Sequence, residues 1–216
     1  DLSVSRGLGD VYKRQNKGGG YCWDISEFEK IQKVCKENEL GLHMDGARIW
    51  NSIIAMNNDP KIYGNFFDTI SVCLSKGLGC PIGSVLVGKG KVMEKAIRIR
   101  KILGGGMRQV GYLAAAGLYA LQNNINRLSD DHRRAKEIAK KFSSKDIVNK
   151  INSVETNIII VELNKSVNKQ QIINHFTNHN VIFDWYSMGV QKIRIVTHLD
   201  YSEKDHEVLM EIVDKL

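Results

Sequence analysis

Two residues stand where an attached amine and a charge partner would be useful. Asp45, in LGLHMDGARIWN, follows a short apolar run and precedes a glycine turn. In α/β sheets, ligand groups gather there, just beyond the carboxyl ends of strands. Thirty-one residues on, the run Thr69 to Leu74 delivers Ser75-Lys76-Gly77-Leu78-Gly79, a lysine at a strand end in a glycine-rich loop. A lysine that forms a Schiff base, with an aspartate that keeps a pyridine nitrogen protonated, is the pair pyridoxal phosphate chemistry needs. Spacing alone leaves a plainer alternative open, because lysines after strands are commonly solvated and Asp-Gly is a common turn.

Other motifs fail on chemical grounds. Gly83 to Lys89 follows a phosphate-binding loop for seven positions, but Gly90 stands where a metal-binding Ser or Thr is required. Its interior, Ser84 to Val87, is β-branched and apolar, which suits a strand. Gly77-Leu-Gly79 followed by Gly83 misses the dinucleotide-binding spacing and precedes a strand, whereas that fingerprint opens a helix. The histidines, cysteines and carboxylates form no metal-ligand spacing, so no metal is expected.

The elements that must position Asp45 and Lys76 alternate. A Ser26-x-x-Glu29 capping box predicts a helix carrying Phe28, Ile31, Val34 and Cys35 and stopping at Gly41. Leu42 to Met44, Thr69 to Leu74 and Ser84 to Val87 read as strands buried in a helix-covered sheet. Helices are expected over Lys91 to Leu103, Gln109 to Gln122 and Asn126 to Phe142. Beyond them come a strand (Asn157 to Leu163), a helix (Asn168 to His179), strands at Val181 to Phe183 and Lys192 to Thr197, and a closing helix with Val208, Leu209, Ile212 and Val213 at helical spacing. The pattern predicts an α/β domain at 16–126 and a small α+β domain at 127–216. Residues 1–15, DLSVSRGLGDVYKRQ, show neither periodicity and are expected to be a non-native segment.

Composition narrows the function classes. With 216 residues, 43% hydrophobic and 25% charged, the chain is globular rather than fibrous or disordered. Gly111 to Leu121, the longest weakly polar stretch, is far short of the ~20 residues of a membrane span. The four cysteines form no C-x-x-C pair, which predicts reduced thiols and a cytoplasmic protein. A net charge of +7 favours anionic ligands. A nucleic-acid module using Lys95, Arg98, Arg100, Lys101 and Arg108 is disfavoured, because no aromatic residues are interleaved and no recognised motif is present.

The residues around Asp45 and Lys76 add a resemblance. HMDGARIWN, DTISVCLSKGLGCPIGSVLVG and RKILGGGMRQVGYLAAAGLYAL resemble the signature blocks of the threonine aldolases, in the β-eliminating lyase group of fold type I pyridoxal phosphate enzymes. The resemblance runs from the Asn16-Lys17-Gly18-Gly19-Gly20 lead-in to the C-terminus and is most specific around Lys76. It implies the C-terminal part of a large cofactor-binding domain, with a mostly parallel sheet and helices, plus a small α+β domain. It implies covalent attachment of pyridoxal 5'-phosphate at Lys76, pairing of Asp45 with the pyridine nitrogen, and Arg48 near the cofactor's phenolic oxygen and the substrate carboxylate. Arg194, in KIRIVTH, is implied as the second carboxylate clamp, and Lys101 and Arg108 as residues near the phosphate or substrate, from a neighbouring subunit or their own.

The implied reaction is retro-aldol cleavage of L-threonine or L-allo-threonine to glycine and acetaldehyde, by an enzyme that assembles as a homodimer or homotetramer. A phenylserine aldolase or another β-eliminating lyase would share Lys76 and Asp45 and differ in the side-chain pocket. A homologue that kept the fold and lost catalysis is argued against by the retained Lys76. The family's ring-stacking histidine and glycine-threonine phosphate turn are not found ahead of Asn16. The chain is therefore expected to be a fragment, weak in cofactor binding and turnover by itself. His43, Ser75, His198, Trp50, Met56 and Ala114 to Ala116 are expected in supporting or packing roles.

Overall fold

The computed structural model describes residues 19–216, so the expectation for residues 1–15 and most of the glycine lead-in lie outside the described residues. The chain divides into two compact units, Cys22–Arg127 and Leu128–Leu216, the latter joined by Gly19–Tyr21.

The first unit opens on α1 (Ile25–Glu37), which is N-capped by Asp24 rather than by the expected Ser26 box. The backbone is already helical at Ile25, with the Glu27 N–H bonded to the Asp24 carbonyl, so Ser26 lies inside the first turn. Then follow β1 (His43–Gly46), α2 (Ile49–Met56), α3 (Pro60–Phe66), β2 (Thr69–Cys73), β3 (Ser84–Gly88), α4 (Gly90–Ile102) and α5 (Gly111–Asn123). The expected run of strands omitted α2 and α3. Asp59 caps α3 by accepting the Lys61 N–H, and Pro60 sits at the first helical position, where its missing N–H costs nothing.

The sheet order is β1-β2-β3, with β1 parallel and β3 antiparallel to β2. The expected mostly parallel sheet is therefore mixed among the described residues. The β2–β3 link is too short for the crossover a parallel neighbour would need. Nor is β3 buried as expected, since every residue of it is exposed. The core lies instead on α1, β1, α2, α3 and β2. Phe28 meets the rings of Trp23, Tyr63, Phe66 and Phe67 at centroid distances of 5.4 to 6.0 Å, beside Leu42, Met44, Ile49, Ile53 and Ile70.

The second unit contains α6 (Leu128–Ser143), β4 (Val148–Ile151), β5 (Ile158–Leu163), α7 (Lys169–Asn178), β6 (Lys192–Val196) and α8 (Glu203–Asp214) around an antiparallel sheet ordered β4-β5-β6. The expected strand at Val181 to Phe183 is absent; only an isolated bridge joins Asp184 to Arg194. β4 was not anticipated, because VNKI carries too few apolar positions to show an alternation. Central β5 is buried on both faces, as its unbroken apolar run requires. Ile159, Val161 and Leu163 join the core with Phe142, Phe176, Trp185 and Leu209. On its other face Ile158 and Ile160 meet Gly19 and Gly20. Gly20 has φ +78°, and a Cβ there would lie 2.2 Å from Thr156 Oγ1, which instead donates to the Gly20 carbonyl at 2.9 Å. Only glycine fits such a backbone this close to a side chain.

Candidate functional site

Asp45 and Lys76 are brought to the same end of two adjacent parallel strands. Asp45 is paired in register with Ser71, and β2 runs on through Cys73 into the Lys76 loop. This is the carboxyl edge where open sheets place ligand groups. The start of β1 is locked to β2 by reciprocal bonds, the Leu42 N–H to Asp68 Oδ2 and the Asp68 N–H to the Leu42 carbonyl, both 2.8 Å. His43 lies one pair away, its Nδ1 2.8 Å from Thr69 Oγ1, which gives it a supporting role in the sheet.

Asp45 is half-buried. Its Oδ1 accepts the Ala47 N–H at 3.1 Å, which fixes the carboxylate at the turn into α2. Gly46 makes that turn possible, because a Cβ there would stand 2.9 Å from the Ser71 carbonyl oxygen and 3.3 Å from Ile49 Cβ. Arg48 follows as the N-cap residue of α2, half-buried and three residues from Asp45.

The Lys76 loop is anchored at both ends. The Leu74 N–H bonds to the Gly83 carbonyl (3.0 Å), the Gly79 N–H to the Lys76 carbonyl (2.9 Å) and the Cys80 N–H to the Leu74 carbonyl (3.1 Å). Helix α5 supports it from behind. Asn124 Nδ2 donates to the Leu78 carbonyl at 2.8 Å, the Cys80 thiol contacts the Ala116 carbonyl at 3.6 Å, and Gly117 leaves room for Leu74. Burial raises the Cys80 thiol pKa. Lys76 itself is half-buried, with Nζ 3.5 Å from Cys73 Sγ, and Ser84 Oγ approaches the same sulfur at 3.6 Å. Ser75, next to Lys76, is exposed.

Lys101 and Arg108 are both exposed, one in the last turn of α4 and the other beyond Gly104-Gly105-Gly106. Gly106 packs onto Lys101, so close that a Cβ would lie 2.7 Å from Lys101 Cδ.

Arg194 belongs to the second unit. It stands on β6 with Ile193 and Ile195 pointing into the core on either side. Its Nη1 donates to Asp184 Oδ2 at 3.3 Å, and its backbone N–H to the Asp184 carbonyl at 3.3 Å. The Ser187 hydroxyl also bonds to the Asp184 carboxylate; that bond, followed by the Ser187 N–H and the Arg194 charge, holds this carboxyl below its ordinary pKa. A cavity of about 630 Å³ opens beside the pair, lined by Arg194, Asp184, Ile182, His198, Tyr201 and Val208. His198 is exposed, 3.8 Å from Asp200.

Sequence reasoning missed two neighbours of the predicted residues. Cys73 carried a usable signal, three residues before the lysine at the end of the same strand. Asp184 carried none, because a loop brings it to Arg194. Among the described residues, no cluster of His, Cys, Asp and Glu is suited to hold a metal, and no helix is long and apolar enough to cross a membrane.

The Beta-eliminating lyase family model matches residues 13–166, a stretch that includes Asp45, Arg48, Lys76, Lys101 and Arg108. The low specificity L-threonine aldolase of Escherichia coli strain K12 is 40% identical over 192 residues, covering 88% of this chain and 55% of the relative. Low-specificity L-threonine aldolase 1 of Arabidopsis thaliana is 37% identical over 190 residues, covering 87% and 52%. The solved threonine aldolase of Leishmania major superposes with a TM-score of 0.73 at 18% identity, covering 89% of this chain and 56% of that one, a likeness of fold. The chain spans about half the length of the curated relatives it matches.

Proposed function

The chain belongs to the beta-eliminating lyase family, and from that premise we propose that it carries the lysine-bearing part of a pyridoxal phosphate-dependent aldehyde lyase. Its substrates are L-threonine and L-allo-threonine, cleaved between Cα and Cβ to glycine and acetaldehyde. The observation that carries this reading is the placement of Lys76 and Asp45 at the same end of paired parallel strands.

The residues suit the cofactor. Lys76 supplies a half-buried primary amine in a loop braced at both ends, and Asp45 supplies a carboxylate whose Oδ1 is fixed by the Ala47 N–H. When bound, pyridoxal phosphate supplies an electron sink for the bonding pair released at Cα. Lys76 would hold the cofactor covalently through its amine, and Asp45 would pair its charge with the ring nitrogen. Arg48 and Arg194 are each suited to the carboxylate-binding role the resemblance implies, because the planar guanidinium offers parallel donors. For Arg194, binding involves sharing or exchanging its bond to Asp184. Lys101 and Arg108 serve the phosphate or the substrate as basic groups on the α4–α5 link. A small amino acid, gripped by its carboxylate, is the ligand of this site, rather than nucleic acid. We place the full-length enzyme in the cytoplasm, as a homodimer or homotetramer.

The test is borohydride reduction of the purified chain in excess pyridoxal phosphate, which fixes even weak binding, followed by peptide mapping. A reduced adduct at Lys76, lost in Lys76→Arg, is expected. Labelling spread over surface lysines with Lys76 unmodified would refute the assignment.

A further inference from the structure

Cys73 and Lys76 lie together at the end of β2, with the amine nitrogen 3.5 Å from the sulfur. Cys73 is half-buried and reachable by a small oxidant, whereas Cys35 and Cys80 are buried. It is also pinned: its strand position pairs with Ser84, whose hydroxyl lies 3.6 Å from the sulfur on the antiparallel neighbour. A cysteine oxidised by a hydroperoxide becomes a sulfenic acid, an electrophile that nearby nitrogen nucleophiles capture.

We propose that Cys73 and Lys76 form an oxidation-triggered covalent couple, in which hydrogen peroxide converts the thiol to a sulfenic acid and the Lys76 amine closes it to a sulfenamide. In the first step the thiol and peroxide give the sulfenic acid and water. In the second, the neutral amine attacks sulfur, an S–N bond forms, the S–O bond breaks, and hydroxide leaves with an amine proton as water. Two equivalents of a small thiol reverse it, restoring the cysteine and the amine and leaving a disulfide of the reductant. The chain rises no higher than the sulfenic state on the oxidation ladder, because the amine intercepts it before sulfinic acid forms. The couple stands on the Cys73–Lys76 geometry alone. Its consequence, that the bridge blocks cofactor attachment, rests on the function proposed above.

The experiment uses the full chain with Cys80→Ser, so that a Cys73–Cys80 disulfide cannot give the same mass. After hydrogen peroxide and tryptic digestion, the expected product is the peptide Ile62 to Lys89, uncut at Lys76 and lighter by two hydrogens than its unmodified counterpart. It should disappear in Cys73→Ser and in Lys76→Arg, and revert on dithiothreitol treatment. Cys73 found as sulfinic acid, as a disulfide with Cys22 or Cys35, or unoxidised, with cleavage at Lys76 intact, would overturn the proposal. Borohydride-fixed capture of pyridoxal phosphate at Lys76, measured separately, should fall as the bridged peptide accumulates and return after reduction. Bridging of a chain that shows no such capture would leave the couple standing and remove the cofactor reading instead.

Discussion

At the scale of single residues, the site depends on a carboxylate whose position is set by a glycine. Gly46 lies on β1 against β2, and an added methyl would stand 2.9 Å from the Ser71 carbonyl oxygen. Backbone atoms cannot move aside as a flexible side chain would. Gly46→Ala should therefore cost about 1–3 kcal/mol, as overpacking does, and shift Asp45 with it. Asp45→Asn separates the two effects. The amide oxygen can still accept the Ala47 N–H, so folding should be nearly unchanged while the charge proposed to pair with the ring nitrogen is lost. At the matching position of the full-length Escherichia coli relative, loss of such a preorganised charge should lower kcat on the order of 100-fold. Denaturation midpoints and turnover of the two variants check this. A strongly destabilised Asp45→Asn, or one with unchanged turnover, would contradict it.

Among elements, what was legible followed from local pattern. The apolar run of β5 and the helical spacing of Val208, Leu209, Ile212 and Val213 announce buried surfaces that need no distant partner to be recognised. The predicted capping box failed at Ser26, where Asp24 already occupies the cap position, yet a complete box exists at Ser202 and Asp205. The N3 residue there is Asp rather than the Glu or Gln the pattern asks for. β4 and the Asp184–Arg194 pair escaped notice because each is defined by a tertiary neighbour. β3 misled in the opposite direction: Val85, Leu86 and Val87 are 42% to 51% exposed, so apolar composition there did not mean burial. The Asp45 and Lys76 positions were legible because strand ends and glycine turns are written locally.

The second unit offers a sharper test of packing. Phe176 on α7 is fully buried among Phe142, Phe183, Trp185 and His175, with ring centroids 4.8 to 6.0 Å away. Aromatic rings cannot collapse into the space a lost neighbour leaves. Phe176→Ala should thus cost about 3–5 kcal/mol and weaken exchange protection in β5 and α8 before that of α1. Loss of a kilocalorie or less would mean the cluster repacks.

For the whole molecule, the acid limb of stability should come from the second unit and have two stages. Burial, followed by the Lys136 charge, lowers the His132 pKa from an ordinary 6.5 to about 4. Above pH 6.5 the ring is neutral in both folded and unfolded chains, and its contribution is complete. Between 6.5 and 4 the unfolded chain takes up a proton that the folded chain refuses, so stability declines as pH falls. The loss should reach roughly 2 kcal/mol, below the full equivalent of the shift because water still screens part of the ring. Below about pH 4 this group adds nothing more. There the carboxylates take over. Asp184 is held low by Ser187 and then Arg194, while Glu137 is held low against its own burial by Arg133 and His206. Their stabilisation is present above the ordinary values of 3.8 and 4.5 and is lost as pH falls through the lower folded values. Hydrogen exchange of α6 and β5 peptides across pH 7 to 3 reads both stages without assuming that the two units unfold together. His132→Asn or His132→Gln, whichever keeps its stability at neutral pH, should flatten the first stage and leave the second. If the slope between pH 6.5 and 4 persists in that variant, the first stage arises elsewhere.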